Sequence, residues 1–330
     1  YILETLRHDV PQNLREEIAA FMESSEGTPC PATMWLQRMT HWWDNNPAKD
    51  AHDVRGWVLR SEGRVAGFMS SIPGWSAWQG NQIPAAFPVS WRVAPEHRGS
   101  SLLMLMKLRE LAREIHLVDS TPAEHVRVML DKIGFIAAPP VTGYIFPMGR
   151  LVGSVAALLA GKGKGLPSLP QDRKLVFDLE QVTQLVRPFI DANRLEKWIT
   201  PASLRWCVSA PVTQPRFVGV IDASGVLSSY FMLQEHTIKS QPAWLAVDWF
   251  TTAPDMTELL GILNALCRSP SLLGESRRFI EVAAYHPAQE WHSAPALLRK
   301  ERPSKLRYSL PPSMKGCSRR CVLMDGDYGM

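Results

Sequence analysis

The same run of elements is written twice in this chain, about 160 residues apart, and this repetition limits the available folds more than any other feature. Residues 54–60 and 65–71 are β-rich and are joined by Ser61-Glu62-Gly63-Arg64, a short Gly-bearing connection that reads as a hairpin. A Trp-rich loop carrying Trp75 and Trp78 leads to a strand over 86–93, where Pro88 indicates an edge or a bulge. A turn follows, then a helix over 101–114 with Leu102, Leu105, Leu108, Leu111 and Ala112 at helical spacing. Residues 116–119 form a short strand. Ser120 or Thr121 caps a helix with Pro122 in its first turn, ending at Gly134, and Phe135 starts the next strand. Further on, 216–221 and 226–234 flank Asp222-Ala223-Ser224-Gly225, a second hairpin signal. Strands over 243–251 and 279–284 and helices over 255–267 and 287–299 complete the repeat.

Two helices precede the first hairpin, over 12–22 and 31–43, so each copy is a sheet with helices layered on it: an α+β fold in two similar halves. The composition turns to Gly, Lys and Pro around 161–167, the best linker in the chain. The expected domains are therefore 1–150, a linker over 151–170, and 171–330. A length of 330 residues suits two domains of ordinary size.

The net charge of +4 and pI of about 8.8 favour an anionic small ligand and are too weak to point to nucleic acid. Five scattered cysteines make no disulfide framework and suit a reducing compartment. Cys317 and Cys321 have no partner pair at metal-ligand spacing, so no metal is expected. The longest apolar run, 151–160, is about half of what a membrane helix needs. With no visible signal peptide, a cytoplasmic protein without a membrane span is expected.

The segment that carries chemistry is Val93-Ala94-Pro95-Glu96-His97-Arg98-Gly99-Ser100-Ser101. An Arg-Gly-Ser-Ser turn opening a helix exposes backbone N–H groups at the positive end of the helix dipole, which suits an anion. Gly99 allows a tight turn and a close ligand approach, Ser100 and Ser101 add hydroxyls, and Arg98 adds charge. On these residues alone, a plain helix cap is the more common reading.

In its context the segment resembles the GNAT superfamily of N-acyltransferases. That family's signature after its fourth strand is Gln/Arg-x-x-Gly-x-Gly/Ala, commonly inside Val-x-Pro-Glu-x-Arg-Gly. Gly63-Arg64-Val65-Ala66-Gly67 looks like the family's hairpin. Thr121-Pro122-Ala123-Glu124 through Asp131-Lys132-Ile133-Gly134-Phe135 looks like its second motif. Ser101 replaces the usual Gly or Ala, Ala123 a frequent Asn, and Leu130 the Tyr that protonates the leaving thiolate in many members. The resemblance covers about residues 1–150 and implies a mixed β-sheet flanked by helices. It also implies acetyl-CoA or another acyl-CoA as co-substrate, held by Trp91, Arg92, Val93, Arg98, Gly99, Ser100, Ser101 and Leu102. The implied acceptor is the amine of a small-molecule or sugar-like compound.

Candidate acid–base groups are Glu96 in the turn, His125 on the second-motif helix, and Tyr144 in the strand beyond Gly134, where a substitute proton donor would reach the sulfur. Each also has a plain structural reading. In the second half the corresponding connection is Thr251-Thr252-Ala253-Pro254-Asp255, without Gly or Arg and with an Asp that repels pyrophosphate. A tandem with one degenerate half resembles the Fem-type peptidyl transferases and the N-myristoyltransferases. A Fem-type aminoacyl transferase and a non-catalytic CoA-binding or scaffold protein remain as alternatives. The basic tail (Lys300, Arg302, Lys305, Arg307, Lys315, Arg319, Arg320) reads as a solvated terminal segment. Nothing in the sequence sets the oligomeric state.

Overall fold

The computed structural model describes residues 1–25, 30–149, 166–185, 194–252, 255–274, 277–285, 291, 294–314 and 316–325. The 151–160 run and most of the Gly-Lys segment lie outside them. The described strands form two mixed sheets, and six α-helices are described with them.

The first sheet begins with β1 (Ile2–Leu6), β2 (Gly56–Ser61), β3 (Arg64–Trp78) and β4 (Asn81–Val93), all antiparallel neighbours. β5 (His116–Asp119) then pairs parallel to β4. The β2–β3 hairpin turns where expected, with Glu62 and Gly63 both at positive φ. β3 runs much further than 71. Trp75 and Trp78 belong to this strand and not to a loop, because β3 and β4 pair continuously out to Trp78↔Asn81.

Helices α1 (Gln12–Ser24) and α2 (Ala32–Met39) cover one face of this sheet, where Ile18, Met22, Trp35 and Met39 pack with Phe68, Ile72 and Val89. Helices α3 (Ser101–Leu111) and α4 (Glu124–Lys132) cover the other, where Met104, Leu108 and Leu130 meet Trp57, Leu59 and Met69. The strand period of two divides these residues between faces: Phe68 points one way and Met69 the other. α4 begins at Glu124 with Ala123 as its cap. Ser120 and Thr121 are therefore not caps, and Pro122 precedes the helix instead of occupying its first turn.

In the second sheet β11 (Arg216–Ile221), β12 (Val226–Ile238) and β13 (Gln241–Thr251) repeat β2–β4, and β14 (Phe279–Tyr285) pairs parallel to β13 as β5 does to β4. Helix α6 (Thr257–Arg268) lies between them in sequence. Asp255 stands just ahead of this helix, accepting from the Thr257 N–H at 2.9 Å.

The two sheets exchange strands. Beside β14 sits β7 (Val141–Pro147) from the first half, and beside β5 sits β16 (Arg307–Ser309) from the C-terminal end. Residues 136–137 form only a two-residue strand, β6, against β16. The expected helix over 287–299 is corrected at its end: Leu298–Arg302 is a strand, β15, paired with β7. The tail is not a wholly solvated segment, because its arginines have partners within the fold. Arg302 pairs with Glu281 at 2.9 Å and Arg307 with Asp131 at 2.6 Å. Arg319, in β17 (Ser318–Arg319), is buried against Asp325.

Where the halves meet, β10 (Arg194–Lys197) bridges β3 and β17, and α5 (Pro201–Val208) sets Trp206 flat on His41 at 4.8 Å between ring centres. A fully buried polar chain lies here. Arg319 Nε donates to His116 Nε2 at 3.2 Å, so the neutral ring carries its proton on Nδ1 and donates to Ser76 Oγ at 3.2 Å. Nearby, Lys197 and Tyr230 both donate to Asp248 at 3.2 Å.

Burial, followed by the charge of Arg319, holds the His116 pKa well below the usual histidine value. Burial also takes His41 down to about 4. His52 falls to about 4 as well, through burial and then Arg55, with Asp53 opposing. Unfolded, all three protonate near pH 6.5. The stability they support is complete above that pH and is lost as pH falls toward about 4 and below, since the unfolded chain binds protons that the folded one refuses. Denaturant titrations at pH 7.5, 6.5 and 5.5 are expected to show a decline of up to about 1.4 kcal/mol per pH unit per histidine. His116→Gln is expected to make the slope shallower by about one proton. An equal slope in both proteins would rule out His116 as a source.

Candidate acyl-CoA cleft

The site begins as a defect in the sheet. β4 and β5 pair only at Ala85↔His116 and Ala86↔Leu117, after which β5 turns to pair with β16. Beyond Ala86, β4 therefore runs on without β5. Pro88 has no N–H, and the bulge implied by it falls just beyond, where Ser90 and Trp91 stand opposite the single residue Met69. Ser90 adopts φ +57°, a conformation a serine takes only when its surroundings impose it.

The gap opens into a cleft of about 1250 Å³, bounded by Trp91, Arg92 and Val93 of β4, the turn from Ala94 to Arg98, Ser101 of α3, and His125, Val126 and Met129 of α4. A chamber of about 370 Å³ adjoins it, sharing Trp91, Arg92, His125 and Val126. The chamber passes through the sheet, since Met22 and Trp35 line it from the α1–α2 face and Leu108 from the α3 face.

The turn itself is a 3-10 segment, Pro95–Ser100, leading into α3. Ser100 has helical backbone (φ −80°, ψ −6°) and makes no capping bond, so it does not act as a plain helix cap. Gly99 does not adopt positive φ, and the turn does not require glycine for its shape. A Cβ at this position would meet only open space, leaving the backbone approachable. Arg64, Arg92 and Arg98 line the cleft together with Glu62 and Glu96. The turn is braced from outside by Tyr1, whose hydroxyl lies 3.1 Å from His97 Nδ1.

Of the residues singled out from the sequence, Trp91, Arg92, Val93, Glu96, Arg98, Ser101 and His125 are brought together around this cleft. Gly99 and Ser100 lie in the turn beside it. Leu102 is 58% exposed at the start of α3 and is not among the residues bounding either space. Tyr144 is displaced altogether. β7 carries it into the second sheet, where it is buried between β14 and β15 against Trp291, its ring centre 5.9 Å away. It lines neither space, because the strand that holds it was exchanged between sheets. Sequence reasoning missed Arg38, Asp119 and Trp35, which line the chamber. The only sequence signal for Arg38 and Trp35 was their position on an amphipathic helix, which a packing role explains equally well.

The equivalent gap in the second sheet is bridged. Trp249 of β13 donates its indole N–H to Ala283 O of β14 at 3.1 Å and packs edge-on to Trp291 at 5.4 Å. Arg320 stacks on Trp249 at 4.6 Å. Among the described residues, no group of three or more His, Cys, Asp or Glu is placed to hold a metal ion.

No protein-family model and no curated protein sequence matches this chain. Solved structures do. One is a probable N-acyltransferase of Enterococcus faecalis (11% identity, TM-score 0.61), of which the match covers 72% and 93% of this chain. A GCN5-related N-acetyltransferase of Anabaena variabilis matches at 12% identity and TM-score 0.58, over 93% of this chain and 72% of that one. Another from Kribbella flavida matches at 14% and 0.55, over 93% and 70%. At such identities the likeness is one of fold: this chain has the GNAT-superfamily fold over most of its length.

Proposed function

We propose that the protein is an N-acyltransferase that moves an acetyl or other acyl group from acyl-CoA to the amine of a small-molecule or sugar-like acceptor. The observation that carries this reading is the split between β4 and β5 with the Ser90–Trp91 bulge at its edge, opening a cleft beside the Arg98 turn and an adjoining chamber inside the sheet. The open backbone at Gly99 and the arginines of the cleft fit a pyrophosphate, and the unpaired edge of β4 beyond Ala86 fits an amide-bearing arm. Acyl-CoA supplies an activated thioester, from which the acceptor amine displaces the thiol to form an amide. The N–H groups at the bulge are proposed to stabilise negative charge on the carbonyl oxygen. His125, exposed and lining both spaces, is the group proposed to take the amine proton, directly or through water, with Glu96 as a more distant carboxylate. Residues 1–150 are proposed to carry the cofactor cleft and 171–330, after a linker, the half without one.

The reading is tested by calorimetric titration of acetyl-CoA and longer acyl-CoAs into the protein, together with thiol release on a panel of amines. Micromolar binding and amine-dependent release are expected. Absence of binding by every acyl-CoA would overturn the proposal.

A further inference from the structure

The chamber beyond the bulge bears on the size of the transferred group, an inference resting on the acyltransferase reading above. Along β4 the two spaces follow one another: Trp91 to Ala94 border the cleft beside the turn, and Pro88 to Arg92 border the chamber. An arm that enters at the Arg98 turn and follows the free edge of β4 therefore reaches Trp91 and Ser90 first and the chamber after them. A thioester carbonyl held at the bulge has the chamber next in line for its carbon chain. The chamber is built from core residues. Met22, Trp35 and Val89 belong to the buried cluster on the α1–α2 side, and Met69 and Leu108 to the one on the α3–α4 side. Arg38, Arg92 and Asp119 border it as well, but each already has an interaction partner within the protein, so none of them calls for a charged guest. What the walls chiefly offer a ligand is hydrocarbon surface. An acetyl group leaves most of the chamber's volume of about 370 Å³ unfilled. At about 30 Å³ for a water-sized group, and roughly the same for a methylene, the space takes a chain of up to about ten carbons.

We infer that the transferred group is a medium-chain acyl group of about six to ten carbons, with the chamber as the space that measures it. Each methylene moved from water onto such walls improves binding by about fourfold. Met22 and Val89 touch the chain and no reacting atom in this scheme, so they act on chain-length specificity. The reaction is the one proposed above: the thioester C–S bond breaks and the amide C–N bond forms. The proton lost by the amine goes to the base, and the departing thiolate takes one from that group or from water.

The experiment titrates acetyl-, butanoyl-, octanoyl-, dodecanoyl- and hexadecanoyl-CoA calorimetrically into the full chain, which requires no knowledge of the amine. The wild type is expected to bind octanoyl-CoA at least about 100-fold more tightly than acetyl-CoA, a conservative share of about fourfold per methylene. Affinity is expected to stop rising by dodecanoyl-CoA, where the chamber is full. Val89→Phe, which fills part of the chamber, is expected to lose most of the octanoyl gain and to bind acetyl-CoA as the wild type does, which reports an intact fold. Met22→Ala, which enlarges it, is expected to move the plateau toward longer chains. The wild-type profile is read without any variant, so a variant that fails to fold does not protect the idea. Octanoyl-CoA bound no better than acetyl-CoA overturns the inference while the acyl-CoA site stands. So does affinity that climbs steadily to hexadecanoyl-CoA, which marks adsorption to apolar surface, or an octanoyl gain that survives in a folded Val89→Phe protein. Failure of the wild type to bind any acyl-CoA removes the acyltransferase reading itself, and this inference with it.

Discussion

Replacing Arg98 by Ala and Gly99 by Glu together is expected to weaken acetyl-CoA binding by on the order of 100-fold, about 2.7 kcal/mol. Two effects combine. The first change deletes a cation that lines the cleft beside the turn, and a charge-assisted hydrogen bond to phosphate is among the stronger polar contacts. The second places a carboxylate in open space where the Gly99 backbone is approachable, so it meets no protein atom and repels a pyrophosphate directly. Because a side chain at Gly99 clashes with nothing and the residue does not need positive φ, the variant is expected to melt within a few degrees of the wild type. Calorimetry and a thermal scan on the same samples test both parts. Unchanged affinity would remove the 98–101 turn from the site; lost affinity with a collapsed melting temperature would show only misfolding.

Asp325→Ala is expected to be the most damaging single change to stability, costing about 3–5 kcal/mol. The side chains of Asp325 and Arg319 are each 1% exposed, and Asp325 also accepts from the Val322 N–H at 2.9 Å. Burial works against the charge on Arg319, and Asp325 together with Cys321 more than offsets it, so the guanidinium stays protonated with its pKa raised. Removing Asp325 leaves a buried cation beside the neutral His116 ring and loosens the β17 segment that β10 joins to the first sheet. The double change Arg319→Met, Asp325→Leu removes both charges and is expected to lose much less than Asp325→Ala alone. Urea unfolding of the three proteins decides the matter: a loss below about 1 kcal/mol for Asp325→Ala would mean that water reaches the pair and screens it.

The two predictions also mark how far the chain could be read. The turn at Arg98 was legible because its elements are local: a strand ending at Val93, a Pro-Glu pair, a glycine and a leucine-periodic helix all lie within about 25 residues, where spacing and propensity act directly. Asp325 and Arg319 were not legible. A basic, proline-bearing tail reads as solvated until something shows that it returns to the sheets, and that return depends on edges of β5 and β7 left unpaired by residues far away in sequence. Trp75 and Trp78 failed for a similar reason. Tryptophans beside Gly and Pro suggest a loop, but here a long β4 provides a partner for each residue of β3 as far as Trp78.

By itself, then, the sequence determined what short-range chemistry controls: the repeated strand–hairpin–helix order, the disturbance near Pro88, the turn that leads into α3, and the lack of Gly and Arg in the residues after Thr251. Only the tertiary structure decided what depends on which edges meet. It sent Tyr144 into the core of the second sheet and out of the site, brought β16 to the place beside β5, and set Arg38 and Asp119 around one chamber. The reason is that a strand's alternation fixes which residues share a face but says nothing about which sheet receives it. That choice is made by whichever open edge buries the most apolar surface and satisfies the most backbone groups.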